Sequence, residues 1–298
     1  SQLVKELEPG LNALFGLEYK RYENQHSEIY NEESSDRAFE EEVMLSGFAN
    51  AQVKGEGSGV SFDEAQETFT ARYTHETVAL AFAITEEAIE DNLYDRLASR
   101  YTKALARSMS NAKQVKSVEP LIQGLPTTNN FDSGDGVSLF NTAHPTVAGT
   151  FANTLATQAD LNETSLEQSM IDIAQMTDER GLRIAARGVK MIIPSELQFT
   201  AERLMKSQGR TGTADNDINA IVSMGMVPQG YRVNNYLTDS DAFYILTDIP
   251  NGMKMFNRAP LTTAMEGDFD TGNVRYKARE RYSFGVSDPR GIFGVEGA

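Results

Sequence analysis

The chain has 298 residues, 40% of them hydrophobic, and no cysteine, which excludes disulfides, thiolate metal sites and cysteine catalysis. No apolar run approaches the ~20 residues that cross a bilayer, and no signal-peptide pattern opens the chain, so a soluble protein made in a reducing compartment is expected. The formal net charge of -16 argues against a dedicated nucleic-acid binder, and residues 1–95, with 21 acidic and 6 basic side chains, carry nearly all of that imbalance.

Taken in chain order, Leu11, Leu14, Phe15 and Leu17 make one short amphipathic patch before Tyr19-Lys20-Arg21-Tyr22. Asn24 to Glu42 is polar and acidic, with isolated Ile29, Tyr30 and Phe39. This N-terminal third lacks the pattern of a self-contained core, and a segment so acidic seeks basic surface elsewhere. Residues 45–76 read as a long hairpin or extended loop with a glycine-rich bend at Gly55, Gly57 and Gly59, and with strands at Val60-Ser61-Phe62 and Phe69 to Tyr73. No Lys-Ser or Lys-Thr pair follows those glycines, so they are not a phosphate-binding loop.

Val78 to Ile84 is an apolar strand, and Thr85 offers an N-cap to a helix running from Glu86 to about Ser117. Ile89, Leu93, Leu97, Tyr101, Leu105 and Met109 recur every four residues as one apolar stripe. Such a helix is roughly 45–50 Å long, which suits a strut in an assembly better than an element of a compact domain. Its first half is acidic, whereas Arg96, Arg100, Lys103 and Arg107 share one later face. That row reads either as a solvated face or as a docking strip for acidic segments of a neighbour, Glu40, Glu41 and Glu42 above all.

The second half reads as an α/β region. Capping boxes are predicted at Thr164-Ser165-Leu166-Glu167 and Ser195-Glu196-Leu197-Gln198. The first opens a helix ending near Gly181, and the second a helix ending before Gly209, with a loop from Arg210 to Asn216. Val189 to Ile193 is a buried strand. Phe243 to Leu246 and Met253 to Phe256 read as a hairpin through Pro250-Asn251-Gly252, and Val274 to Phe284 as a last strand before a short tail.

Catalytic patterns are sparse. His26, His75 and His144 lack ligand spacing, and Asp215/Asp217, Asp239/Asp241 and Asp268/Asp270 lack the further oxygen ligands of a calcium loop. No Gly-x-Ser-x-Gly elbow and no dinucleotide fingerprint occurs. The residues give no catalytic, cofactor or metal site, and no enzyme is expected.

The order of elements resembles the Hong Kong 97 type of major capsid protein from tailed bacteriophages, including the Mu-like head subunits. The phrases carrying the resemblance are Pro9 to Gly16, Ile84 to Asn92, Leu139 to Pro145, Asn216 to Ala220 and Arg281 to Gly285. The resemblance implies an α+β capsid fold. Residues 1–44 would be an N-terminal arm over a neighbour and 45–76 an extended loop. Residues 77–155 would be a peripheral domain with the long spine helix, 156–262 an axial domain, and 263–298 a return to the peripheral domain. It further implies hexamers and pentamers in an icosahedral shell around double-stranded DNA, assembled in the bacterial host cytoplasm. Portal and scaffolding proteins and a decoration protein are the other implied partners, with DNA contacted only non-specifically and no membrane involved. Scaffolding would be cleaved off or supplied by a separate protein. Lys54 lies where the family's best-known member carries a crosslinking lysine, but no asparagine partner is identified, so non-covalent cohesion is expected. The alternatives are an encapsulin-like nanocompartment shell and, from another class, a soluble α/β hydrolase or binding protein.

Overall fold

The computed structural model describes residues 2–90, 94–210, 217–268 and 272–298. A 20-residue helix, α1 (Gln2–Arg21), opens the chain and contains Pro9. Strand β1 (Asn31–Ser34) follows, then β2 (Phe39–Leu45) and β3 (Glu67–Thr74), which pair antiparallel and carry a long loop between them. Next come β4 (Glu76–Ile84), the short helix α2 (Glu86–Glu90) and the 30-residue α3 (Tyr94–Gln123). The second half holds the small pair β5 (His144–Thr146) and β6 (Gly149–Phe151), then α4 (Glu163–Gln175), β7 (Gly188–Ile193), α5 (Gln198–Lys206) and α6 (Ala220–Ser223). It ends with β8 (Tyr231–Val233), β9 (Phe243–Thr247), the long strands β10 (Met253–Gly267) and β11 (Val274–Val286), and β12 (Ile292–Val295).

One sheet has the order β1-β10-β11-β4. Its centre is the antiparallel β10–β11 ribbon, and β11 alternates cleanly: Val274, Tyr276, Ala278 and Glu280 are buried while Arg275, Lys277 and Arg279 are exposed. The buried side packs on α3 and α1 through Leu11, Phe15, Leu105, Ala106 and Met109. A period of two on the strand and of three to four on the helices thus meet in one apolar layer. The predicted stripe holds at Leu105 and Met109, but Tyr101 is 44% exposed and only rests edge-on against Phe82. The side chains of Ile89 and Leu93 lie outside the described residues.

Thr85 Oγ1 accepts the Ala88 amide at 3.3 Å, the expected cap. The helix does not stop near Ser117. It passes through Pro120 and ends at Gln123, and α3 alone is about 45 Å long. Gly124 then leaves no room for a Cβ, which would strike Leu139 Cβ and the Pro120 carbonyl.

The second sheet has the order β12-β9-β7-β8 and a core of Leu166, Ile173, Met191, Ile193, Phe243, Ile245 and Phe293. Several sequence expectations are corrected here. The α4 cap is Asn162, whose side chain accepts the Ser165 amide while Ser165 Oγ accepts the Asn162 amide. Asn162 forms the box because the helix starts at Glu163, one residue before the predicted cap, and it ends at Gln175. The second box does not form: Ser195 to Leu197 is a 3-10 turn, and Ser195 Oγ donates to Glu196 instead. Val60-Ser61-Phe62 has no strand partner. β9 and β10 are not a hairpin, because Pro250-Asn251-Gly252 carries the chain from one sheet to the other. The last strand is β12, which hydrogen-bonds β9. Most of the predicted Arg210–Asn216 loop lies outside the described residues.

Candidate assembly surfaces

Three features of the folded chain face outward, and the loop among them is tied back by Arg180, which pairs with Asp63 at 3.5 Å and donates to the Glu64 carbonyl at 2.6 Å. The first is the loop of residues 46–66, closed at its base by the Ser46 amide on the Gln66 carbonyl. Beyond that base, Phe48, Val53, Val60 and Phe62 have little or no cover, with Val53 100% and Phe62 94% exposed. Lys54 is exposed in the same loop and pairs with no described residue. Exposed apolar groups strung along one projecting segment mark a contact surface.

The hairpin carrying this loop is fixed to the body. Gly285 on β11 has no side chain, and the Tyr73 ring sits where its Cβ would be. Tyr73 also meets Phe256 edge-on at 4.8 Å, and its hydroxyl and that of Ser287 share a hydrogen bond of 2.5 Å. Burial raises the Tyr73 pKa, so the hydroxyl stays protonated. Beside it, His75 bridges Ser283 and Ser35.

The second feature is the outer face of the first sheet. Arg275, Lys277 and Arg279 project from alternate positions of β11; Ala83, Ala81 and Ala79 on β4 flank them on one side, and Glu266, Ala264 and Thr262 on β10 on the other. Arg275 pairs with Asp268, whereas Lys277 and Arg279 have no ion-pair partner among the described residues. The third feature is the row Arg96, Arg100, Lys103 and Arg107 on α3, all exposed.

The acidic triplet predicted to dock on that row is already engaged within its own chain. Ser35 Oγ donates to Glu40 at 2.6 Å, Arg72 lies 3.8 Å from Glu41, and Glu42 pairs with the buried Lys254, which also holds Glu33 at 3.2 Å. Burial pulls the Lys254 pKa down, but hydrogen bonds and charge from Glu42 and Glu33 outweigh it and hold it above the usual value. Within one chain the structure does not bring Glu40–Glu42 and the arginine row together.

Sequence reading missed the buried polar joints. Tyr19 OH and Lys113 Nζ both reach Glu280 Oε2, at 3.3 and 3.5 Å, tying α1, α3 and β11 into one unit. Burial raises the Glu280 pKa, against the pull of Lys113. His26 is buried on Gln114 and Glu32, and burial lowers its pKa. His144 lies between Asp135 (2.6 Å) and Asn153 (2.9 Å) and stacks on Phe151, whose other contact is the Arg290 guanidinium. Arg290 in turn binds Glu179 and Asp288. All three histidines are hydrogen-bonded partners in packing. Among the described residues no group of three or more His, Asp or Glu could hold a metal, and no helix is long and apolar enough to cross a membrane.

The family model described as "Phage capsid protein" matches residues 67–295. The chain belongs to this family. A search among curated proteins finds no match. Among solved structures, the capsid of Myoviridae phage XM1 is similar at a TM-score of 0.56 and 12% identity, over 91% of this chain and 89% of that one. Mycobacterium phage Che8 is similar at 0.53 and 15%, over 93% of each chain. The virus-like particle from Pyrococcus furiosus is similar at 0.56 and 10%, over 97% of this chain and 98% of that one. At these identities the likeness is one of fold, and it spans nearly the whole capsid chain; the narrower Mu-like type is not among the matches described. The capsid family places the protein in the head shell as a major capsid protein built from many copies of itself.

Proposed function

We propose that copies of this capsid protein close as hexamers and pentamers into an icosahedral head around double-stranded DNA. Assembly takes place in the bacterial host cytoplasm, with portal and scaffolding proteins and a decoration protein as further partners. The subunit acts structurally and catalyses nothing. The observation that carries this reading is the 46–66 loop, whose apolar side chains find little cover among the described residues. A neighbour's sheet face, with Ala81 and Ala79 of β4 beside Lys277 and Arg279, offers an apolar complement to Phe62 and a cationic one to Glu64, while Asp63 is held by Arg180 of its own chain. The regions 1–44, 45–76, 77–155, 156–262 and 263–298 then serve as arm, extended loop, peripheral domain, axial domain and peripheral return.

The second reading is a shell that encloses protein cargo in place of DNA. The likeness to a virus-like particle over 97% of the chain favours it. Electron microscopy of the purified protein, alone and with scaffold, tests both: closed shells are expected, and their contents separate the two readings. A monomer that persists under all conditions would overturn the proposal.

A further inference from the structure

Helix α3 carries an unusual face. Between Arg96 and Val118 it contains six Lys or Arg and not one Asp or Glu. Helices in so acidic a chain ordinarily offset such cations with carboxylates three or four residues away. Here Lys113 and Lys116 turn inward or sideways to Glu280 and Glu76. The other four, Arg96, Arg100, Lys103 and Arg107, stay exposed and make no ion pair among the described residues. At 100° per residue they fall within about 60° of arc and span roughly 16 Å of a rigid helix.

The residues between them set the partner's chemistry. Ala104, Ser108 and Asn111 are exposed neighbours along the row, small or polar groups that let a surface come close but offer it little to grip, and Tyr101, 44% exposed, lies farther round the helix with its ring edge-on against Phe82. A polypeptide segment needs apolar contact as well as charge, and the sheet face around Lys277 supplies both. On the α3 face charge predominates, with the half-exposed Tyr101 and Val115 set to one side of the row. A backbone of phosphates, uniform in charge and without apolar groups, matches it, and 16 Å of duplex presents about five phosphates per strand. The acidic triplet Glu40–Glu42, the other candidate occupant, is spoken for inside its own subunit.

We propose that Arg96, Arg100, Lys103 and Arg107 form the subunit's contact with the phosphate backbone of duplex nucleic acid. The inference rests on the shell reading for its purpose. One row binds weakly against a net charge of -16, and repetition over a shell makes it count. Sequence plays no part, because no base-reading side chain accompanies the row.

The test uses full-length soluble subunits, whose two faces are both accessible, and a fluorescent 60-base-pair duplex of arbitrary sequence. Binding is followed by anisotropy from 50 to 200 mM salt. The variant Arg96→Gln/Arg100→Gln/Lys103→Gln/Arg107→Gln should lose at least 10-fold in affinity at 50 mM, and its log–log salt slope should be shallower by about 3–4. Lys277→Gln/Arg279→Gln should leave both quantities unchanged. Three results overturn the proposal: no binding by the wild type, an unchanged slope in the quadruple variant, or an equal loss in the Lys277/Arg279 variant. A quadruple variant that is folded by circular dichroism but forms no particles also overturns it, since the row is then a subunit contact. Failure of the wild type to form particles is read separately by microscopy and bears on the shell reading alone.

Discussion

Gly285→Ala tests whether the loop-bearing hairpin is seated on the sheet as described. A methyl group there meets the Tyr73 ring at two carbons, well inside ordinary contact. The ring has no easy retreat, because Phe256 stands against it at 4.8 Å and its hydroxyl is held by Ser287. Overpacking of this kind costs about 1–3 kcal/mol, and loss of the ring-to-ring contact about 0.5–1.5 kcal/mol more. The cost falls on one joint, since Gly285 lies on the outer side of β11 and the α1/α3 layer on the other. Native-state hydrogen exchange should therefore show amides of β3 and β2 exchanging some 10- to 2,000-fold faster, the equivalent of about 1.5–4.5 kcal/mol, while β11 amides facing β4 keep their protection. Particle yield should fall with the hairpin. Unchanged β3 exchange, or a uniform loss across the whole chain, would refute the seating and its local character.

Reversing Glu40, Glu41 and Glu42 to lysine is expected to destabilise the isolated subunit by about 2 kcal/mol or more, because it strips the buried Lys254 of its closest partner and sets like charge beside it. Urea unfolding with an unshifted midpoint would count against that. Asp239 sits against Asp241, and burial followed by the second carboxyl pushes its pKa up to about 6. A carboxyl raised in the folded state binds more protons there than when unfolded, so its contribution to stability falls as pH climbs from about 4 to 6. Asp239→Asn should thus melt higher than wild type at pH 7.5, with the gap closing towards pH 4, and equal melting temperatures at pH 7.5 would remove the carboxyl pair from consideration. Mature shells boiled in detergent should run as one band at 32.8 kDa, and a ladder of multiples would show that Lys54 is crosslinked after all.

Periodicity made the long elements legible. The alternation of β11 and the four-residue spacing of Leu105 and Met109 are both direct signatures of a buried face, and both were met. The ends were harder to read, since a cap depends on which residue turns extended first: Asn162 took the role expected of Thr164. Pro250-Asn251-Gly252 carries a genuine turn signal, with Asn251 at φ 61°, but local chemistry cannot say whether the next strand folds back or leaves for another sheet. Pairings hundreds of residues apart, such as Tyr19 with Glu280, leave no mark on a single sequence. The same limit applies to the acidic triplet. Its charge was obvious and its partner was not, because Lys254 on β10 meets Glu42 on β2 across 212 residues of sequence.

Where the chain crosses between its two sheets, Gly252 and Gly291 touch backbone to backbone, leaving no space for a Cβ on either. The outward and the returning passage are thereby pressed together at one point, and Thr247 Oγ1 donates to the Arg290 carbonyl just beside it at 2.7 Å. A junction made of two crossed, abutting backbones resists both twist and shear, since neither strand can slide without driving into the other. The crossing of the two sheets is therefore pinned at a point where two passages of the chain meet. In the proposed closed shell, a subunit pinned at this crossing would leave changes of curvature to the contacts between copies, where the 46–66 loop has the reach to adjust.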